Sequence, residues 1–487
     1  MRRLAPDSLA LAHEGVARFN YDRGGVTPGI VHLGIGAFHR AHQAVYVDDL
    51  LGMYPDWAIV GASLRRPDTR DALEPQDGLY SLLVRDASGS ACRVIGSILE
   101  VIDATAEGDR LLELMASPAI RIVSLTVTEK GYCHDPATGH LDCNHPDIAH
   151  DLADPVHPRS APGFLVEALD RRRQAGLAPF TVMSCDNLPS NGRTARRIIT
   201  EFAAARDAEL GRYVEGVSFP STMVDRIVPA TTDADRVAVG EMLGLEDAWP
   251  VVTELFTQWV IEDDFSAGRP PFEAAGAQMV REVEPFEHMK LRMLNGSHST
   301  LAYLGYLAGH QYVADAVGDP AFRALISELM SAEVMPTLHM PGTDLDAYRE
   351  ALLARFANPA LHHRTWQIAM DGSQKLPQRL LGTIRDRIAA GASYERLALG
   401  VAGWMRYAMG VDENGEAIDV RDPMAARFSA IAAEAGRDPE RLVDGFIGLR
   451  EIFGTDLPAD GAFRGLLVVL LRSLLENGSA ATVARVG

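Results

Sequence analysis

The 487-residue chain has only four cysteines, Cys92, Cys133, Cys143 and Cys185. They are too few and too scattered for a disulfide framework, which points to a reducing compartment. No run approaches the roughly 18 apolar residues that a membrane span needs. The opening Met1-Arg-Arg-Leu-Ala-Pro-Asp7, followed by His13 and Glu14, interrupts the apolar stretch of a secretory signal, so a cytoplasmic location is expected. A basic surplus is missing too. The formal net charge is −20, spread along the chain, which argues against nucleic acid and anionic membranes as partners. Internal repeats and low-complexity tracts are absent. What is present is a 47% hydrophobic chain of mean hydropathy −0.02, too long for one ordinary core, so two domains or one large domain with an appendage are expected.

The first half carries strand–turn–helix signals. Gly29-Ile-Val-His-Leu33 is a short apolar run ending at Gly34-Ile35-Gly36-Ala37-Phe38-His39-Arg-Ala-His42. A strand, a Gly-x-Gly turn and a helix start form the dinucleotide fingerprint, in which glycines let backbone approach a pyrophosphate. The third glycine is replaced by His39. The second strand, Trp57–Leu64, lies about 30 residues on, as a βαβ unit requires. It runs into Arg65-Arg66-Pro67-Asp68. Asp68 suits the ribose hydroxyls of NAD, whereas two arginines suit a 2′-phosphate, so NAD is expected with NADP left open. Further strands end at Glu129 and at Asp186-Asn187, where ligands gather in an open parallel sheet. Asp225, beside Arg226, sits in an apolar stretch. Between these strands, His134, His140, Cys143, His145 and His150 invite a zinc reading. Their spacing fits no Cys-x2-Cys or His-x3-His pattern and their context reads as loop, so no metal is expected.

From about residue 283 strand signals vanish and 3.6-residue periodicity takes over. The reading is an α/β protein with a Rossmann-type dinucleotide-binding domain over residues 1–282 and a mostly α-helical substrate-binding and catalytic domain over 283–487. The second opens on Glu287-His-Met-Lys290-Leu-Arg-Met-Leu-Asn295-Gly-Ser-His298. On an α-helix with Lys290 at 0°, Glu287 lies at about 60°, His298 at about 80° and Asn295 at about 140°. Leu291 and Leu294 share that arc, so the face is partly apolar, and desolvation lowers a lysine's pKa toward the range where it takes a proton. An ordinary amphipathic helix is the competing reading. A second polar stripe, Arg364, Gln367, Asp371 and Lys375, with Arg379 following, falls on one helical face provided Gly372 does not break the helix.

Together, Gly34-Ile-Gly-Ala-Phe-His-Arg-Ala-His-Gln43, Thr126-Val-Thr-Glu129, Ser184-Cys-Asp-Asn187-Leu-Pro-Ser-Asn-Gly192, Met223-Val-Asp-Arg-Ile227 and Lys290-x4-Asn295-x2-His298 resemble the polyol-specific long-chain dehydrogenase (mannitol dehydrogenase) family over nearly the whole chain. The resemblance implies zinc-independent hydride transfer with NAD. It makes Lys290 the general acid–base, Asn187 and Asn295 hydrogen-bond donors to the reacting oxygen, His298 the substrate-orienting group and Glu287 a proton relay. Thr365–Arg379 and Lys130-Gly-Tyr-Cys133 look closer to the fructuronate reductase branch, and Gln367 stands where the mannitol members carry an arginine. A uronate needs a cation for its carboxylate, and Arg364, Lys375 and Arg379 are the candidates, with Glu129 as a further substrate contact. The expectation is NAD-dependent interconversion of D-mannonate and D-fructuronate. Mannitol 2-dehydrogenase or a related polyol activity is the alternative. A non-catalytic nucleotide-binding protein would be expected to lack the lysine or both asparagines, and all three are here. The partner expected is a small sugar acid or polyol, acted on by a monomer or small homo-oligomer.

Overall fold

The computed structural model describes residues 1–86, 89–135, 138–340, 342–361 and 363–487, Leu361 by its backbone alone. The chain divides into two compact units, Met1–Glu284 and Pro285–Gly487.

In the first unit the strands are β1 (Pro28–Leu33), β2 (Ala58–Ser63), β3 (Tyr80–Asp86), β4 (Gly89–Ile95), β5 (Ile98–Asp103), β6 (Ile122–Leu125), β7 (Thr181–Ser184), β8 (Thr222–Asp225), β9 (Val251–Thr253), β10 (Gln258–Glu262) and β11 (Gln278–Val280). The main sheet runs β5-β2-β1-β6-β7, parallel throughout. Its residues alternate between two cores, as the two-residue period of a strand demands. Val31, Leu33, Val60, Ala62, Val123, Leu125 and Val182 face one side, and Ile30, Ile59, Ile122 and Met183 face the other. Both faces being covered explains why these strands read as continuous apolar runs. Strand order reverses between β1 and β6, so the crevice beyond their carboxyl ends, at Gly34 and Thr126, is the switch point where such sheets bind ligands. Two smaller sheets, β4-β3-β9 and β11-β10-β8, complete the unit.

The second unit has no strand among its described residues. The helix Gly296–Leu307 is buried over almost its whole length, its polar first turns Ser297–Thr300 included. Helices Glu395–Ala408 and Gly461–Asn477 contribute to the same core. Among the described residues, three π-helical turns interrupt this unit, at Lys290–Asn295, Leu329–Val334 and Pro377–Leu381. No described helix of the chain is long and apolar enough to cross a membrane.

Candidate active site

In the first unit the glycine turn lines a cavity of about 310 Å³, together with Ser63, Arg65, Arg66, Thr69 and Thr126. Gly34 has φ +93°, and a Cβ there would lie 2.3 Å from the Thr126 carbonyl oxygen, so only glycine fits. A Cβ on Gly36 would meet nothing nearer than 3.9 Å and would instead fill the open cradle. That bare backbone, just before the helix Ala37–Ala41, suits a pyrophosphate.

A buried hydrogen-bond chain holds this turn. The Thr126 hydroxyl donates to the Gly34 carbonyl at 2.7 Å, so Thr126 Oγ1 must accept from His32 Nε2–H, 2.8 Å away. His32 Nδ1 is then unprotonated and accepts from the Ser124 hydroxyl at 2.8 Å. Burial pushes the His32 pKa down to about 3, so the ring is neutral and its tautomer fixed. His39 lies flat against it, ring centroids 3.4 Å apart, with both residues fully buried. The missing third glycine is thereby explained: close helix–strand packing is achieved by stacking two imidazoles rather than by deleting a side chain.

The sequence-derived cofactor residues divide. Gly34, Ile35 and Gly36 line the cavity, whereas Ala37, Phe38 and His39 form the helix behind it. Asp68 does not line the cavity either. It opens the helix Asp68–Leu73 with its side chain exposed, and Arg65, Arg66 and Thr69 form the rim instead. Asp225 is buried at the end of β8, in the separate sheet β11-β10-β8. Beyond β6, Glu129 is exposed, as is Asn187 beyond β7. The neighbour of Asn187 was missed. Asp186 accepts from the backbone N–H groups of Thr128 at 2.8 Å and Val127 at 3.2 Å, and from the Tyr132 hydroxyl at 2.8 Å. It clamps the loop that follows β6 while burial raises its pKa to about 6.

The histidine-rich loop brings Cys133, His145 and Asp147 together, with potential ligand atoms within 4.8 Å of one another. Asp147 is already held by the Arg65 guanidinium at 2.6 Å, and burial pushes the Cys133 thiol up to about 11. A resident guanidinium and a protonated thiol are a poor donor set for a cation.

In the second unit, Lys290 opens the π turn and is 6% exposed. The Gly296 N–H donates to the Leu291 carbonyl, an i→i+5 bond that adds one residue to the turn. This corrects the α-helical angles. Asn295 stands to Lys290 as an i+4 residue does in an α-helix, and His298 as an i+7 residue does. Lys290, Asn295 and His298 thus fall within about 60° of one another, tighter than a regular helix allows. Glu287, partly buried, lies one turn earlier in the helix Glu284–Met289. Gly296 makes the register possible: a Cβ there would lie 2.8 Å from the Arg379 carbonyl oxygen in the neighbouring π turn.

His298 is buried, its Nε2 without a hydrogen-bond partner. It stacks on Phe356 at 5.0 Å and meets His363 edge-on at 4.7 Å. Burial, followed by His363, Arg379, Arg355 and Lys375, holds its pKa well below the ordinary imidazole range. Every charged group that acts on it most strongly is a basic side chain. Lys375 is pushed down to about 8 by burial and by Arg379, and its ammonium donates to the carbonyls of Ile368 at 3.3 Å and Met370 at 2.5 Å. Arg379 donates to Ser299 Oγ at 3.0 Å. Arg355 and His363 were missed, because no helical period connects them with Lys290.

The stripe from Arg364 to Lys375 is not one helix. Asp371, at φ +54°, separates Thr365–Ala369 from Gly372–Leu376. Its backbone N–H bonds the Arg421 carbonyl at 2.9 Å. Arg364 and Gln367 are exposed, while Lys375 and Arg379 are half-buried and their charges act on His298.

A parallel sheet built to bind a dinucleotide, joined in one chain to a helical unit with a buried lysine, carboxamide and imidazole on one arc, defines a dehydrogenase of the two-unit, nucleotide-dependent class. Comparison with known proteins narrows this. Residues 28–274 match the mannitol dehydrogenase Rossmann domain and residues 282–472 the mannitol dehydrogenase C-terminal domain. The chain is 50% identical over 477 residues to the D-mannonate oxidoreductase of Escherichia coli K12, covering 96% of this chain and 98% of that one. It is 43% identical to a mannitol 2-dehydrogenase of Phaeosphaeria nodorum, covering 99% and 87%. Among solved structures, the Pseudomonas fluorescens mannitol 2-dehydrogenase, in ternary complex with NAD and D-mannitol, superposes with a TM-score of 0.90 at 41% identity, covering 99% of each chain. The chain belongs to the mannitol dehydrogenase family, oxidoreductases that act on CH–OH groups.

Proposed function

We propose that this protein interconverts D-mannonate and D-fructuronate with NAD as hydride carrier. The observation that carries the substrate class is the basic surround of His298. Arg355, Lys375 and Arg379 act as cations on one buried imidazole, which the neutral His363 meets edge-on, and such a cluster suits a substrate that brings its own carboxylate. Lys375 and Arg379 are the groups we assign to that carboxylate, in place of the exposed Arg364. The 50% identity to a D-mannonate oxidoreductase supports the same reading.

The bare glycine cradle fits the dinucleotide, which when bound accepts or returns the hydride. Lys290 takes the proton of the hydroxyl being oxidised, and gives one to the ketone oxygen in the reverse direction. Asn295, brought onto the lysine's arc by the π turn, donates to that oxygen and stabilises its developing charge without taking a proton. His298, neutral with a vacant Nε2, orients a neighbouring hydroxyl. Glu287, one turn away and part-exposed, passes protons between Lys290 and solvent.

A mannitol-type activity is the second reading, favoured by the 43% identity to a mannitol 2-dehydrogenase. Oxidation of NADH followed with D-fructuronate and with D-fructose separates the two. The proposal predicts a higher kcat/KM for the uronate; a preference for fructose overturns the substrate assignment.

A further inference from the structure

We propose that the adenosine end of the cofactor site carries a 2′-phosphate subsite, formed by Arg66 with Arg65 and Arg159, so that the protein accepts NADP(H) as well as NAD(H). This rests on the reading of the glycine turn as a dinucleotide site. Two cavities adjoin there. The first, about 310 Å³, contains the glycine turn. The second, about 610 Å³, lies beyond the end of β5, where Ala104, Ala106, Pro158 and Phe164 supply apolar walls suited to an adenine. Leu64, Arg65 and Arg159 line both. A dinucleotide with its pyrophosphate on the glycines and its base in the second cavity places the adenosine ribose at this shared rim.

Sheets of this kind distinguish the two cofactors where β2 ends. A carboxylate there accepts from the ribose hydroxyls and repels a phosphate, whereas an arginine there pairs with the phosphate. After Ser63 this chain offers Leu64, Arg65 and Arg66, and among the described residues no carboxylate lines the glycine-turn cavity. The nearest in sequence, Asp68, is directed to solvent at the start of its helix. In the second cavity, Glu107 is bound to Arg110 at 3.0 Å and Asp154 to His157 at 3.0 Å. Asp109 there is exposed. Arg65 is shared with Asp147 at 2.6 Å, which fixes its head but reduces its net charge toward a ligand. Arg66 is exposed on the rim and is therefore the leading contact.

The test titrates the intact protein with NADPH and with NADH by nucleotide fluorescence, for the wild type, Arg66→Glu and Asp68→Asn. A second series compares 2′,5′-ADP with 5′-AMP, which lacks only the 2′-phosphate, as competitors of NADH. The inference predicts that the wild type binds NADPH, and that 2′,5′-ADP competes better than 5′-AMP. It also predicts that Arg66→Glu weakens NADPH relative to NADH by about tenfold to a hundredfold, the span of one charge-assisted contact. Binding of NADH without NADPH overturns the subsite and leaves the dinucleotide reading intact. So does a gain of NADPH binding in Asp68→Asn over a wild type that refuses it. An equal loss of both nucleotides in Arg66→Glu overturns it as well, by showing a role confined to the fold. Failure of both nucleotides to bind overturns the dinucleotide reading, and the subsite with it.

Discussion

Replacing Thr126 by valine tests whether the buried chain from Ser124 through His32 sets the cofactor turn. Valine keeps the shape and deletes one hydroxyl. The Gly34 carbonyl loses its 2.7 Å donor, and His32 Nε2–H loses its 2.8 Å acceptor. Each buried polar group left unsatisfied costs about 1–3 kcal/mol. The imidazole has a partial escape: moving its proton to Nδ1 lets it donate to Ser124 Oγ, which leaves only a bare Nε2 lone pair against the new methyl. The carbonyl keeps a second donor, the Gly36 N–H at 2.7 Å, and so loses one of its two hydrogen bonds. A net loss of about 1–2 kcal/mol follows, from one of the carbonyl's two bonds and the imidazole's unpaired nitrogen, concentrated on a glycine whose φ of +93° no other residue shares comfortably. If about 1.4 kcal/mol of it falls on preorganisation of the turn, NADH binding weakens about tenfold. Thr126→Ser keeps the hydroxyl and is predicted to restore the affinity. The assay is the Kd for NADH from nucleotide fluorescence, with a thermal melt of each variant alongside. Wild-type affinity in Thr126→Val, or equal weakening in both variants, would refute the hydrogen-bond argument.

Other consequences follow from the second unit. Gly296→Ala places a Cβ 2.8 Å from the Arg379 carbonyl oxygen; overpacking of this kind costs about 1–3 kcal/mol. We expect a lowered melting temperature and, because Lys290 and Asn295 lose their common arc, a fall in kcat, so unchanged turnover would contradict the π-turn account. Burial and Lys375 lower His363 from 6.5 to about 4. A base depressed on folding contributes stability that is complete above its unfolded pKa of 6.5 and lost as pH falls through about 4. The loss is about 3 kcal/mol. Urea midpoints measured from pH 7 to pH 4 should fall less steeply in His363→Asn than in the wild type. Parallel slopes would show that the imidazole already titrates normally.

The parallel sheet was legible because its strands are apolar on both faces and its first turn needs glycine for steric reasons visible in one tripeptide, Gly34-Ile-Gly36. The switch to helices after residue 283 was legible from periodicity. The finer geometry of the site was not. Lys-Leu-Arg-Met-Leu-Asn is an ordinary helix-forming run, and nothing local marks it as a π turn. The extra residue is accommodated by packing of Gly296 against the Arg379 carbonyl, a contact some 80 residues away in sequence. The assumption of a regular helix therefore placed Asn295 too far round from Lys290. Likewise, the stripe from Arg364 to Lys375 looked continuous because its polar residues keep a helical spacing, and Gly372, not Asp371, was the break in question. The left-handed backbone of Asp371 is fixed by the Arg421 carbonyl, which no local pattern reveals. His39 read as a defect in the fingerprint because its partner, His32, lies in the strand before it and faces it only once the helix has docked.

The account turns on Lys290 as the group that moves the proton. In Lys290→Ala, single-turnover oxidation of NADH by D-fructuronate should slow by about a hundredfold or more, while the Kd for NADH stays at the wild-type value. Turnover close to wild type in that variant would contradict it.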